Sequence, residues 1–272
     1  MWSALSRSAA RAPCASLRRV NLWQEVVVAA AAFAAGLINS VAGGGTLVSF
    51  PALLWIGRDA VLANATSTVA LWPASLAGVY GFRRELKGGA RTILLFGAPS
   101  LAGGVLGAVL LLRTPSEMFA QLVPFLILFA TLLIALQEPV SRRLRHAEDD
   151  RPPSRAWWAG ALAFQFFVGV YGGYFGAGIG ILMLAALGLL GFTDIHKMNA
   201  VKNLLAVSIN GVAALYFIAS GKVYWADVLV MTFAAIAGGY SGARLAYKLG
   251  RRFVRLAVIA IGLVMSVSLF FR

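Results

Sequence analysis

Between Trp23 and Phe271 the chain is a succession of apolar runs separated by short basic or Pro/Gly-rich connections. A helix needs roughly 20 apolar residues to span hydrocarbon, and most of these runs reach that length. So much apolar surface has no place in a water-soluble fold. Only 12% of the residues are charged and 60% are hydrophobic, whereas a soluble domain carries about a quarter charged residues. In lipid every backbone N–H and C=O needs a partner inside the protein, and a helix supplies it within one segment. The expected class is an all-α integral membrane protein in a lipid bilayer.

Eight hydrophobic segments are expected: 24–57, 62–82, 91–112, 117–137, 156–191, 197–219, 225–248 and 252–271. They imply a basic N-terminal arm (1–22), a first membrane repeat (23–137), a polar linker (138–155) and a second membrane repeat (156–272). The arm carries Arg7, Arg11, Arg18 and Arg19 and no acidic residue. It reads either as a disordered basic arm or as an organelle presequence.

An internal duplication supports the two-repeat division. Asn64-Ala65 recurs as Asn199-Ala200, and Ala102-Gly103-Gly104 recurs as Ala237-Gly238-Gly239, both at an offset of 135 residues. Segments one and five each exceed thirty residues and carry a glycine cluster at corresponding positions. At about 1.5 Å per residue an unbroken helix of that length overshoots a bilayer core, so each is expected to break at its glycines. Broken helices in matching positions of two halves are the best sequence pointer to a transporter's binding site.

Charge in the connections bears on orientation. The connection around Arg83, Arg84, Lys87 and Arg91 is basic while its counterpart holds only Lys222. The next holds only Arg113, while its counterpart holds Arg244, Lys248, Arg251, Arg252 and Arg255. Such a swap fits inverted halves with an odd number of crossings each, as re-entrant hairpins at the broken segments would give. Eight full crossings from a cytoplasmic start is the alternative.

The candidate substrate residues follow from these features. A polar stripe of Asn64, Ser67 and Thr68 faces one side of segment two, and Asn199, Lys202 and Asn203 repeat it in segment six. A lysine at membrane depth is costly unless an anion accompanies it. The glycine clusters (Gly43, Gly44 and Gly45 beside Thr46, and Gly176, Gly178 and Gly180) would offer backbone N–H groups to an anion at half-helix ends. Close helix packing is the competing use of glycine, preferred for Gly103 with Gly107 and Gly238 with Gly242.

Several function classes are disfavoured. All ten acidic residues lie at segment ends or in connections, which argues against a carboxylate proton relay or cation site. The single cysteine, Cys14, allows no intrachain disulfide, and no catalytic motif, metal-ligand cluster or cofactor fingerprint is present. The formal charge of +14 belongs to the connections of a membrane protein and not to a nucleic-acid site.

The motifs Gly36-Leu-Ile-Asn-Ser-Val-Ala-Gly-Gly-Gly-Thr46, Asn64-Ala-Thr-Ser67 and Ala102-Gly-Gly-Val-Leu-Gly107 recur in the second half as Gly169 to Gly180, Asn199-Ala-Val-Lys-Asn203 and Ala237 to Ala243. With this paired pattern the chain resembles the sulfite exporter TauE/SafE family over Glu25 to Arg272. The resemblance implies a plasma-membrane permease for sulfite, sulfonates or related sulfur-containing anions. Ile179 stands where such motifs commonly have glycine, and Lys202 with Asn203 where they usually have small Thr/Ser. The expected activity is export of a small anion by alternating access. Alternatives are import of the same anions, or a non-transporting scaffold or assembly protein. Self-association into a homo-oligomer stays open.

Overall fold

The computed structural model describes residues 22–41, 44–81, 90–144, 155–189, 195–249 and 251–271. They form helices and no strand: α1 (Leu22–Val41), α2 (Thr46–Trp55), α3 (Ala60–Gly81), α4 (Ala90–Arg113), α5 (Ser116–Leu144), α6 (Arg155–Tyr174), α7 (Ile179–Leu189), α8 (Ile195–Ala219), α9 (Trp225–Leu249) and α10 (Arg251–Phe270). Four are long and apolar enough to cross a membrane, namely α1, α4, α5 and α8. Large apolar side chains on the outer face stay exposed, among them Leu94, Phe125, Phe233 and Phe253. In water such a surface would aggregate; in a bilayer it is the correct solvent contact. The chain is an all-α membrane protein.

Both long segments break at their glycines, into α1 and α2 and into α6 and α7. Gly44, Gly176 and Gly178 have φ of 91°, 84° and 78°, a region a side chain would strain. The first break is a reversal. Gly45 donates its N–H to Asn39 Oδ1 at 2.7 Å, and at the far end Gln24 Nε2 reaches the Ile56 carbonyl at 3.5 Å. The start of α1 thus lies beside the end of α2, so the pair is an antiparallel hairpin. In the second break α7 packs back on α6, where Tyr171 donates its hydroxyl to the Ala177 carbonyl at 2.8 Å.

Elements 135 residues apart make corresponding contacts. Helix α1 packs most extensively on α9, as α6 does on α4; α3 meets α9 as α8 meets α4. Trp72 donates its indole N–H to the carbonyl of Val207, its own counterpart, at 3.1 Å. Counterparts α5 and α10 lie side by side and run in opposite directions. Ser266 donates to the Pro124 carbonyl at 2.9 Å, the Phe125 and Phe270 rings stack edge to face at 4.9 Å, and further along Gly262 abuts Thr131. An exchange that reverses helix direction relates inverted units, not parallel ones.

Glycines set the tightest contacts. A Cβ on Gly103 would collide with the Phe166 carbonyl and one on Gly107 with the Val170 carbonyl. Each step of four residues along α4 matches a step of four along α6, so these two helices run parallel with touching backbones. Lipid offers no hydrophobic drive for helix association, so such close approach is a main source of cohesion. At one end of the bundle Arg58, just after α2, bonds Asp227 at the start of α9 through Nε at 2.7 Å and a terminal nitrogen at 3.0 Å. Arg58 also lies over the Tyr224 ring. The pair staples the first hairpin to the second half.

One boundary differs from expectation. Helix α5 runs to Leu144, past the predicted end at 137, so the first part of the polar linker is helical. Apolar sequence marks where a helix leaves lipid, not where it stops, and Arg142, Arg143 and Leu144 are good helix formers. The basic arm lies outside the described residues.

The glycine contacts make a prediction. Gly107→Val should lower stability by about 1–3 kcal/mol or more through overpacking. Gly97→Ala, on the same helix but with open space around it, should be near neutral. Thermal unfolding of the two purified variants in detergent checks this, and equal melting would refute the close-packing account.

Candidate functional site

The two breaks meet in the middle of the bundle. A Cβ on Gly44 would press on Ile134, and one on Gly178 would come within 3.4 Å of the Ala130 carbonyl. The hairpin tips therefore contact α5 one turn apart. An aromatic cluster fills the space between them: Phe50 of α2 stacks edge to face on Phe175 at 5.7 Å and on Phe119 at 6.1 Å, and Phe119 on Tyr174 at 5.5 Å. All three phenylalanines are fully buried, so the tips are locked against one another.

Helix α3 bridges the breaks with its polar stripe. Buried Ser67 shares a 2.7 Å hydrogen bond with buried Ser49 of α2, whose hydroxyl also reaches the Gly45 carbonyl at 3.3 Å. Asn64, also buried, donates its amide N–H to the Tyr174 carbonyl at 2.9 Å. One stripe thus holds both hairpin tips. Thr68 turns its hydroxyl back to the Asn64 carbonyl at 2.9 Å, a local bond that satisfies it inside the helix.

Helix α8 serves the second break. The aliphatic stem of Lys202 lies over Gly180, where an added Cβ would meet its Cδ at 3.1 Å. Asn210 directs Oδ1 toward Gly176, 3.4 Å from the position of a Cβ there. Asn199, Lys202 and Asn203 are half-buried. Lys202 and the glycine cluster, proposed independently from sequence, are neighbours. Thr46 opens α2 and is half-buried; Gly43 lies outside the described residues.

The breaks differ in their free backbone donors. At the first, Gly45 N–H is occupied by Asn39 Oδ1, and Leu47 and Val48 turn back to the carbonyls of Gly44 and Gly45. At the second, Ile181 N–H bonds the Gly178 carbonyl, while the N–H groups of Gly178, Ile179 and Gly180 take no backbone partner among the described residues. One sequence difference accounts for the missing cap on Gly180. The residue 135 after Asn39 is Tyr174, which has no amide to cap Gly180. The start of α7, carrying the positive end of its helix dipole, is therefore the better place for an anion.

Sequence reasoning missed Asn39, Ser49 and the Tyr174 carbonyl. Asn39 had a signal, an amide six residues before a helix-opening glycine. Ser49 and Tyr174 had none, because their roles arise only once the chain has doubled back.

A family model described as sulfite exporter TauE/SafE matches residues 28–269. The chain is 31% identical over 242 residues to "Probable membrane transporter protein YfcA" of Escherichia coli (strain K12), covering 88% of this chain and 87% of that one. It is 27% identical over 238 residues to a "Probable membrane transporter protein" of Haemophilus influenzae, covering 87% and 91%. It is also 27% identical over 240 residues to "Probable membrane transporter protein ORF9" of Sinorhizobium sp., covering 88% and 89%.

Removal of the cap at the first break is testable. Asn39→Ala leaves Gly45 N–H unsatisfied and should destabilise the protein by about 0.5–2 kcal/mol, the range for lost helix caps. Hydrogen exchange should show faster opening confined to α2. No change in exchange at α2 would remove Asn39 from its capping role.

Proposed function

The chain belongs to the sulfite exporter TauE/SafE family, and from that premise we propose a multi-pass permease of the plasma membrane that exports sulfite or an organosulfonate. Family membership makes it a membrane transporter; the substrate, the direction and the site are our reading. The observation that carries an anionic substrate is the second break, where backbone N–H groups at the start of α7 lie beside the stem of Lys202. Neutral helix ends and one lysine suit a monoanion. No reaction is needed, so the protein acts as a carrier and not as an enzyme.

Two inverted halves, joined through the linker, form the moving parts. The solute sits beside the second hairpin tip, at the start of α7, with Asn64, Ser67 and Thr68 of α3 and Asn199, Lys202 and Asn203 of α8 as its polar surroundings. Gly44, Gly45 and Thr46 shape the first tip, while Gly176, Gly178 and Gly180 shape the second and supply the donors. Rocking one half against the other exposes this place to each side in turn.

Charge orients the bundle. The connections from α3 to α4, from α5 to α6 and from α9 to α10 leave from one end and carry Arg83, Arg84, Lys87, Arg142, Arg143 and Arg251 among others. Among the described residues, the opposite end holds Arg58, Arg113 and Lys222. Short basic loops tend to stay in the cytoplasm, which supports a cytoplasmic first end. With the cytoplasm negative, expelling a monoanion gains about 2.3 kcal/mol per 100 mV, so export needs no coupling ion.

Flux measurements on purified protein in liposomes test this reading. Sulfite efflux should be saturable and accelerated by an inside-negative potential. Lys202→Ala should reduce it about tenfold or more, given roughly 1.5–3 kcal/mol for a hydrogen bond to a charged group, and Lys202→Arg should retain most of it. Undiminished efflux in Lys202→Ala would defeat the site assignment.

A further inference from the structure

The amide of Asn64 is held in one orientation. Its Nδ2 donates to the Tyr174 carbonyl at 2.9 Å, and a carbonyl only accepts, so the nitrogen and oxygen cannot be exchanged. Oδ1 is left pointing away from that bond. The residue is 1% exposed, and Oδ1 has no hydrogen-bond partner among the described residues. A buried acceptor without a donor is destabilising, and a protein keeps one where something else supplies the donor.

Asn64 is bonded two residues before Gly176, at the entrance to the second break. The bare oxygens of an anion there would repel Oδ1 while being drawn to the N–H groups of Gly178 to Gly180. A solute that carries a hydrogen-bond donor beside its negative oxygens satisfies both groups. We propose that the transported species is a monoanion that keeps one O–H group, a protonated oxyanion or a hydroxyl-bearing sulfonate, and that Asn64 Oδ1 accepts its hydrogen. The negative oxygens then face the start of α7 and Lys202. This inference rests on the anion-carrier reading above and narrows its substrate class.

Selectivity follows from the same geometry. A site that bonds a substrate hydroxyl rejects the analogue that lacks it, because the acceptor is then left buried and unpaired. The sibling residue Asn199 lies on α8, half-buried, so the discrimination belongs to the first half's stripe.

The test compares two probes of equal charge and similar size, hydroxymethanesulfonate and methanesulfonate, as inhibitors of sulfite flux in proteoliposomes. The parent should be inhibited by the hydroxylated probe at a concentration about tenfold or more lower. In Asn64→Leu the two probes should become equivalent. A pH series separates the two sources of the hydroxyl: for sulfite itself, flux should track the monoprotonated fraction, while hydroxymethanesulfonate inhibition stays flat over the same range. Equal inhibition of the parent by both probes, with sulfite flux intact, overturns the donor assignment alone and leaves a bridging water or a cation as the partner of Oδ1. A ratio that persists in Asn64→Leu overturns the role of this residue. Absence of any anion flux overturns the carrier reading, and this inference with it.

Discussion

Interrupting a helix inside a bilayer strands backbone polar groups where no water can satisfy them, and this constraint governs the rest of the architecture. The chain interrupts two helices and answers the cost with protein. Asn39 caps the start of α2, Ser49 and Ser67 bond each other beside the Gly45 carbonyl, and Asn64 covers the Tyr174 carbonyl. Phe50, Phe119 and Phe175 seal the space between the tips. Among the described residues, the N–H groups opening α7 and the oxygen of Asn64 stay open. Irregular backbone at membrane depth is tolerated only against protein or a solute-accessible space, and the proposed site is built on these groups.

Duplication supplied the frame, and divergence within it supplied the asymmetry. The helix contacts keep their exchange relation, and α5 and α10 still pair head to tail. The polar positions have drifted: Asn39 faces Tyr174 across the repeat, and Ser67-Thr68 face Lys202-Asn203. The first tip is thereby capped and neutral and the second open and positively polarised. A site of one sign and one orientation is what a single anion requires, and a perfectly symmetric pair would offer two half-sites instead.

Much of this was legible in the sequence, for stated reasons. Helical class and the positions of both breaks followed from segment length against bilayer thickness, and from glycine at Gly44, Gly176 and Gly178, where positive φ excludes other residues. The reversal of helix direction showed only as a swap of basic residues between connections. The end of α5 was not legible, because hydropathy reports the edge of lipid and not of the helix. The links from Asn64 to Tyr174 and from Ser49 to Ser67 were hidden for another reason. They join positions far apart in the chain that become neighbours only after the hairpins form.

The central claim is that an anion rests on the N–H groups opening α7, between two inverted halves. Its most direct measurement is the structure of the purified protein soaked with selenite, whose selenium marks its position by anomalous scattering. The account predicts a single strong peak within hydrogen-bonding reach of Gly178 to Gly180 and of Lys202, with the reversal between α6 and α7 intact. A peak at the first tip or in a basic connection only, or a continuous helix through Gly178, would contradict it.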